Sequence, residues 1–394
     1  MTGQVGSGSG NEVSLSFVFP CLNEKSTLET CVSEVRHALL PLGSDFEIVV
    51  ADNGSTDGSR EIALALGCRV VSVADRGYGA ALRGGLHAAS GKYVMFADCD
   101  NTYIYADALS LYEAARRENA GMAIASRMTG VIEDGAMPLL HRYLGTPVLT
   151  ALINILFRGK LTDCNSGFRC VEKEQYLDWN IRSSGMEFAS ELLIKALKSR
   201  ARIVEIKSGL KCGPPERVAH LRTWRDGMRH LLFILSEKPF VFEILGLLFM
   251  LPSLLLQTLA WAVGPTEVFG MNVFDLHSQA VLLLAGIIGV QFYIFGCSLY
   301  LASGDRSLWI TKRIISLDEG VVFFLLSAVL FSTLLAISAL LFTWVAGGFQ
   351  GIHQANTLIF GMHWLGTLGM AAFGLLSIHT LKKAFSAPVP QRVD

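Results

Sequence analysis

Beyond Pro239 the chain carries four nearly uncharged apolar stretches, at about 240–262, 279–302, 321–346 and 358–380. Each is near the ~20 residues that an α-helix needs to cross a bilayer. Backbone amides in hydrocarbon have no water to bond to, and a helix satisfies them within one segment. The sequence therefore predicts four membrane-spanning helices. Of the 394 residues 51% are hydrophobic and mean hydropathy is +0.43, and the excess is concentrated past Pro239. Before it, charged and apolar residues mix as in a globular domain. We read a Gly/Ser-rich leader at 1–12, a globular domain at 13–221, an interface helix at 222–239, a four-helix membrane domain at 240–381 and a tail at 382–394.

The connectors Gly264–His277 and Gly347–Thr357 contain no Lys or Arg, whereas the connector between the second and third spans holds Arg306, Lys312 and Arg313. Lys382, Lys383 and Arg392 follow the last span. The positive-inside bias places both termini and the globular domain in the cytoplasm, and the chain in the cell (inner) membrane. MTGQVGSGSGNE has no apolar core, so it reads as a leader rather than a signal peptide. Cys21, Cys31, Cys68, Cys99, Cys164, Cys170, Cys212 and Cys297 form no CxxC pair and no zinc spacing, and are expected as small apolar fillers. Nucleic acid is not expected as a partner of a chain with net charge −1. The spans pack either as one bundle or across a homo-oligomer.

In the globular part, short apolar runs at 14–19, 47–51, 69–73, 93–97 and 122–125 alternate with segments of helical period such as TLETCVSEVRHALLPL. This pattern predicts an α/β fold, a mostly parallel sheet covered by helices on both faces. Ligands in such folds gather at the carboxyl ends of the strands. Three strand ends here are polar: Pro20-Cys21-Leu22-Asn23-Glu24, Asp52-Asn53-Gly54-Ser55-Thr56-Asp57-Gly58-Ser59 and Asp98-Cys99-Asp100-Asn101.

Alternate residues of an extended chain project the same way, so Asp98 and Asp100 can turn toward one hard divalent cation, Mg2+ or Mn2+. A solvated loop after a strand would carry the same residues. Asp52 offers an acceptor to a base or ribose, while Asp57 or Ser59 either caps the next helix or meets a ligand. In Arg76-Gly77-Tyr78-Gly79-Ala80-Ala81-Leu82 the glycines, Gly79 among them, would let a ligand approach the backbone, with Arg76 or Arg83 reaching phosphate. Leu82 stands where a dinucleotide fingerprint needs glycine, and there is no GxxxxGK[ST] loop, which disfavours a dehydrogenase or a P-loop ATPase.

With FVFPCLNE, VVADNGSTDGS and FADCDNTY in that order, the chain resembles GT-A glycosyltransferases of the large inverting nucleotide-sugar family two. ASRMTG, DGAMPLLHRYLG, LTDCNSGFRCVEKE, GMEFASELLIKA and HLRTWRDGMRHLLF make it similar to the polyprenyl-phosphate glycosyltransferases, the group of dolichol-phosphate mannosyltransferase. The resemblance runs from about Leu15 to Leu235. It implies a GT-A domain followed by the four-helix transmembrane region, and a donor site at Pro20, Leu22, Asn23, Glu24, Asp52, Asn53 and Gly79. It also implies a cation and diphosphate site at Asp98 and Asp100, and acceptor-phosphate contacts at Arg127, Arg142 and Arg222. Thr102 stands where some members supply a metal-ligating amide. Arg169, Glu187 and Glu191 match motifs that structural ion pairs explain as well, and Arg222 and Arg225 either steer an anionic lipid head or snorkel.

The implied reaction moves a hexose from a nucleotide sugar, UDP-glucose-like or GDP-mannose, to undecaprenyl or dolichyl phosphate at the membrane. A phosphate monoester with a second pKa of about 6 is already dianionic near neutrality, so it needs no general base. Arginines in its place would lower the repulsion between two anions, and one displacement would invert the anomeric centre. His141 would serve as base only for a hydroxyl acceptor, and otherwise reads as a partly exposed helix histidine. Leu144–Phe157 either lies along the membrane surface or forms a core helix. A processive polysaccharide synthase would need a QxxRW-like sequence, which is absent. A transporter or flippase would need buried charges along its spans, which hold few besides Glu243.

Overall fold

The computed structural model describes residues 13–214, 223–268, 271–347 and 355–386, and the chain divides into two compact units, Met1–Ile234 and Leu235–Asp394. In the first unit β1 (Leu15–Cys21), α1 (Leu28–Ala38), β2 (Phe46–Asp52), α2 (Ser59–Ala65), β3 (Arg69–Ser72), α3 (Tyr78–Ala88), β4 (Tyr93–Phe96), α4 (Ala108–Arg117) and β5 (Met122–Ser126) alternate along the chain. There follow α5 (Thr146–Phe157), β6 (Arg169–Glu172), α6 (Lys173–Asp178), α7 (Phe188–Lys198), β7 (Ile203–Lys207) and α8 (Thr223–Ser236).

The sheet order is β3-β2-β1-β4-β6-β5-β7. All strands are parallel except β6, which runs antiparallel to both β4 and β5. Five strands lie where the apolar runs predict them. β6 and β7 have no such signal: β6 is four residues long, and β7 is a partly exposed edge strand broken by Glu205. Phe17 and Phe19 of β1 pack into a layer with Val35, Tyr105 and Phe168, while Val18 packs with Leu82, Leu86, Ile153 and Leu192. That split is the two-residue alternation of a strand buried on both faces. The register levels the strand ends: Cys21 lies opposite Asp52, and Val18 opposite Phe96. Asp98, two residues past Phe96, therefore leaves the sheet level with Pro20, near the carboxyl end of β1.

The second unit contains α9 (Pro239–Val263), β8 (Thr266–Val268), β9 (Met271–Val273), α10 (Leu276–Ser303), α11 (Trp309–Ile315), α12 (Glu319–Ala346) and α13 (Ala355–Ser386). α9, α10, α12 and α13 are long and apolar enough to cross a membrane and coincide with the four apolar stretches. The strands β8 and β9 form a hairpin in a connector that carried no strand signal. α9 and α10 approach closely through small residues: a Cβ at Gly289 would lie 2.5 Å from the Met250 amide nitrogen. Outward faces carry Leu248, Leu255, Phe323, Phe331 and Phe342, all exposed, a surface that suits lipid rather than water. The carboxylate of Glu243 is fully buried and accepts from Ser307 Oγ at 2.6 Å and Leu308 N–H at 2.7 Å. It anchors the α10–α11 connector, a structural use for a charge near a span.

Candidate active site

The polar ends of β1 and β2 are laced together. Asn23, at φ 60°, accepts the Thr56 N–H on its Oδ1 at 2.8 Å, and its own N–H donates to Ser55 Oγ at 3.0 Å. Glu24 N–H donates to Ser59 Oγ, and Lys25 N–H to Asp57 Oδ2. Asp57 also accepts from Ser59 N–H, so it ties the first residue of α2 to the 23–25 loop, while the N-cap itself is Gly58. Burial pushes its carboxyl up, but the bonds from Ser59 and Lys25 outweigh that and hold it below the usual range. Asp52 is buried and accepts the Ser55 N–H at 2.9 Å, Leu22 is exposed, and Pro20 is half-buried. Asn53 works on the protein itself: its amide donates to the carbonyls of Val73 and Asp75 and accepts the Gly77 N–H.

Gly79 corrects one expectation. It is buried against the chain rather than open to a ligand, since a Cβ there would lie 2.7 Å from the carbonyl oxygens of Ser183 and Gly185 and 2.8 Å from Phe188 Cβ. A Cβ at Gly77, whose φ is 130°, would lie 2.1 Å from Ser184 O. The first turn of α3 is thus keyed into the 183–185 loop. Arg76 donates to Asn53 O, and Arg83 to Arg182 O, so both arginines brace backbone. Glu191 holds that loop by accepting the N–H groups of Arg182 and Ser183 and pairing with Lys195 at 2.7 Å, while Glu187 accepts the Gly185 N–H. The keyed turn carries Tyr78, whose phenol donates to Asp98 Oδ1 at 2.7 Å. Burial, then the neighbouring Asp98, keep that phenol protonated well beyond its ordinary pKa.

Asp98 and Asp100 lie past the last paired residue of β4, with Asp100 on a bend. Asp100 is buried and accepts both the N–H and the Oγ1–H of Thr102, the latter at 2.6 Å. Thr102 therefore orients Asp100. Between the aspartates, Cys99 points into the core, its thiol pushed up by burial, and its carbonyl accepts from Thr27 Oγ1 at 2.6 Å. A thiolate ligand is excluded by that placement. The remaining donors are carboxylate oxygens, which fit Mg2+ or Mn2+. Among the described residues no third His, Cys, Asp or Glu groups with them.

Arg127 follows β5 and is gripped along one edge by Asp163, with Nε to Oδ2 at 2.7 Å and Nη2 to Oδ1 at 2.9 Å. The arginine side chain is 12% exposed and the aspartate 0%. Burial lowers and Asp163 raises the Arg127 pKa, with a net rise; burial raises and Arg127 lowers that of Asp163, with a net fall. Both stay charged. The Tyr103 oxygen accepts the Gly167 N–H at 2.7 Å, and Gly167 lies against Asp98. His141 and Arg142 occupy a π-helical turn, His141–Gly145, at the start of α5, with the Arg142 guanidinium over the Tyr143 ring. Burial and the Arg127 charge lower the His141 pKa. Arg222 lies outside the described residues.

Arg169 is fully buried and donates to the carbonyls of Ser166, Ala189 and Cys164, closing the 163–168 loop on backbone rather than through an ion pair. Cys212 departs from the expectation of a buried filler, being exposed. Leu144–Phe157 forms in part a core helix: Leu149, Ile153 and Phe157 of α5 are buried, while Val148 and Ile155, with Leu139, Tyr143 and Leu144 before them, are exposed. Sequence reasoning missed Tyr78 and Asp163 as site residues. The signals were present in RGYGAA and LTDCNSGF, but nothing local ties either residue to its partner.

A mostly parallel sheet with one inserted antiparallel strand and carboxylates at its carboxyl edge is the architecture of GT-A glycosyltransferases. Residues 16–177 match the family described as Glycosyl transferase family 2. The low-salt glycan biosynthesis hexosyltransferase Agl6 of Haloferax volcanii is 33% identical over 377 residues, covering 90% of this chain and 89% of that protein. The dolichyl-phosphate beta-glucosyltransferase of Saccharomyces cerevisiae is 27% identical over 222 residues, 50% of this chain and 66% of that protein. A solved glucosyl-3-phosphoglycerate synthase from Mycobacterium tuberculosis, in complex with Mn2+, UDP and glucosyl-3-phosphoglycerate, is 23% identical with a TM-score of 0.45, covering 60% of this chain and 86% of that one. The chain belongs to glycosyl transferase family 2 and is a transferase enzyme.

Proposed function

We propose that this enzyme moves a hexose from a nucleotide sugar to a polyprenyl phosphate at the cytoplasmic face of a membrane that α9, α10, α12 and α13 span. The observation that carries the reading is the gathering of Asp98, Asp100 and Arg127 at one edge of the sheet: the Asp98 charge raises the Arg127 pKa, and Tyr103 and Gly167 lie between them. Carboxylates suit a cation-bound diphosphate, and a buried guanidinium suits a second anion. Asp98 and Asp100 would hold Mg2+ or Mn2+. When bound, the cation supplies charge neutralisation to the departing nucleoside diphosphate.

The protein's own residues do the rest. Asn23, Asp52 and the laced 53–59 turn receive the nucleotide, with Pro20, Leu22 and Glu24 beside it. Asp163 takes one edge of Arg127, which presents the other to the acceptor phosphate, with Arg142 and Arg222 as further cations. The phosphate attacks as a dianion, so no side chain must remove a proton, and the anomeric centre inverts. The exposed apolar face of α5 supports access to a lipid held at the membrane surface. Homo-oligomers are compatible with the exposed faces of α12. Purified full-length protein given radiolabelled UDP- and GDP-hexoses, undecaprenyl or dolichyl phosphate and Mg2+ or Mn2+ should yield a phosphate-linked glycolipid. A clean preparation that makes none with any donor defeats the proposal.

One observation favours a second reading. Burial and the Arg127 charge lower the His141 pKa, the direction that suits a general base for a lipid hydroxyl acceptor. Preference for diacylglycerol over polyprenyl phosphate, lost in His141→Gln, would establish it.

A further inference from the structure

We propose that Tyr78 is a positioning residue that fixes the Asp98 carboxylate for the cation and the donor diphosphate; this rests on the reading of Asp98 and Asp100 given above. Three observations converge on it. The Tyr78 phenol donates to Asp98 Oδ1 at 2.7 Å across 20 residues of chain. On the other side of the carboxylate, Gly167 lies so close that a Cβ there would be 3.1 Å from Asp98 Oδ2. Asp98 is thus held between a donor and a wall.

The third observation is the mounting of Tyr78 itself. Gly77 and Gly79 flank it, and both are in backbone contact with the 183–185 loop, to which Ala80 N–H also donates, at Ser184 O and 3.1 Å. Glu191 and Glu187 fix that loop by accepting its N–H groups. A chain of contacts therefore runs from the GMEFASE segment through the loop and the α3 turn to the carboxylate. Such a mounting does nothing for a ring that only packs; it sets where a hydroxyl points. A hydrogen bond to a ligating carboxylate orients it and tunes its strength as a ligand. Tyr78 would act through Asp98, without touching substrate.

Tyr78→Phe keeps the ring and removes the donor. On full-length protein in detergent, Mn2+ titrated with UDP in one arm and GDP in another, with free Mn2+ read by electron paramagnetic resonance, should bind about tenfold more weakly to Tyr78→Phe than to wild type. In transfer assays the deficit should close as Mn2+ is raised, leaving kcat nearly unchanged. Leu111→Ala, a core packing change in α4 outside that chain of contacts, controls for folding: it should lower the thermal midpoint and leave Mn2+ affinity alone. Unchanged Mn2+ affinity in Tyr78→Phe overturns the inference, as does an equal loss in Leu111→Ala or no Mn2+ binding by wild type. If wild type and variant differ in Mn2+ binding but no glycolipid forms, the inference stands and the acceptor assignment falls.

Discussion

Asp163 has no exposed surface and still carries a charge, because Arg127 answers it with two side-chain bonds and the Arg127 and Asn165 N–H groups add two more. Removing one partner of such a buried pair strands the other, so Asp163→Asn should cost about 3 kcal/mol or more of stability, read from chemical unfolding in detergent. Because the folded-state pKa of Asp163 is depressed, its contribution is full above the unfolded value of about 3.9 and is lost as pH falls through the lower folded value. Wild type should therefore lose stability below about pH 4, and Asp163→Asn should lose less of it there; identical acid-unfolding curves would contradict this. Asp100→Ala should cut transfer by about 100-fold or more, the scale for losing charge stabilisation in a transition state, with wild-type far-UV dichroism. Asp98, Asp100 and Asp52 were legible in the sequence because polar residues ending apolar runs stand out. Asp163 and Tyr78 were not, since their partners lie 36 and 20 residues away.

At the scale of elements, α3 and α5 owe their roles to what they rest on. Gly79→Ala must push the α3 turn off the 183–185 loop, an overpacking that costs about 1–3 kcal/mol; an unchanged thermal midpoint would show that the loop yields. α5 buries Leu149, Ile153 and Phe157 and exposes Val148 and Ile155, the latter 76% exposed. If that face meets lipid, Val148→Glu and Ile155→Glu should each forfeit about 1.5–3 kcal/mol of apolar contact. The readout is, in the full chain, reduced transfer to polyprenyl phosphate with nucleotide binding intact. Loss of nucleotide binding instead would make α5 a core helix only. The period of α5 could not separate these readings, because an apolar residue looks the same whether it faces protein or lipid.

At the scale of the whole molecule, the cation distribution of the connectors makes a topological prediction. A cysteine at Glu267, in the β8 strand, should be labelled by an impermeant maleimide in intact cells, and one at Asp305 only after the membrane is opened; the reverse pattern would invert the proposed orientation. The four long apolar helices and five of the seven strands of the sheet could be read directly from the chain, because hydrophobic length and two-residue burial are local, cooperative patterns that few alternatives share. So could the family, since its motifs sit at strand ends in a set order. Tertiary structure alone decided where β6 and β7 enter the sheet, that Gly79 serves packing, that Glu243 and Arg169 are tied to backbone, and which partners hold Asp98 and Arg127. Those outcomes depend on which residues meet after the chain has closed on itself, and the energy of a buried charge or a glycine contact is set by the neighbour, which one-dimensional spacing does not contain.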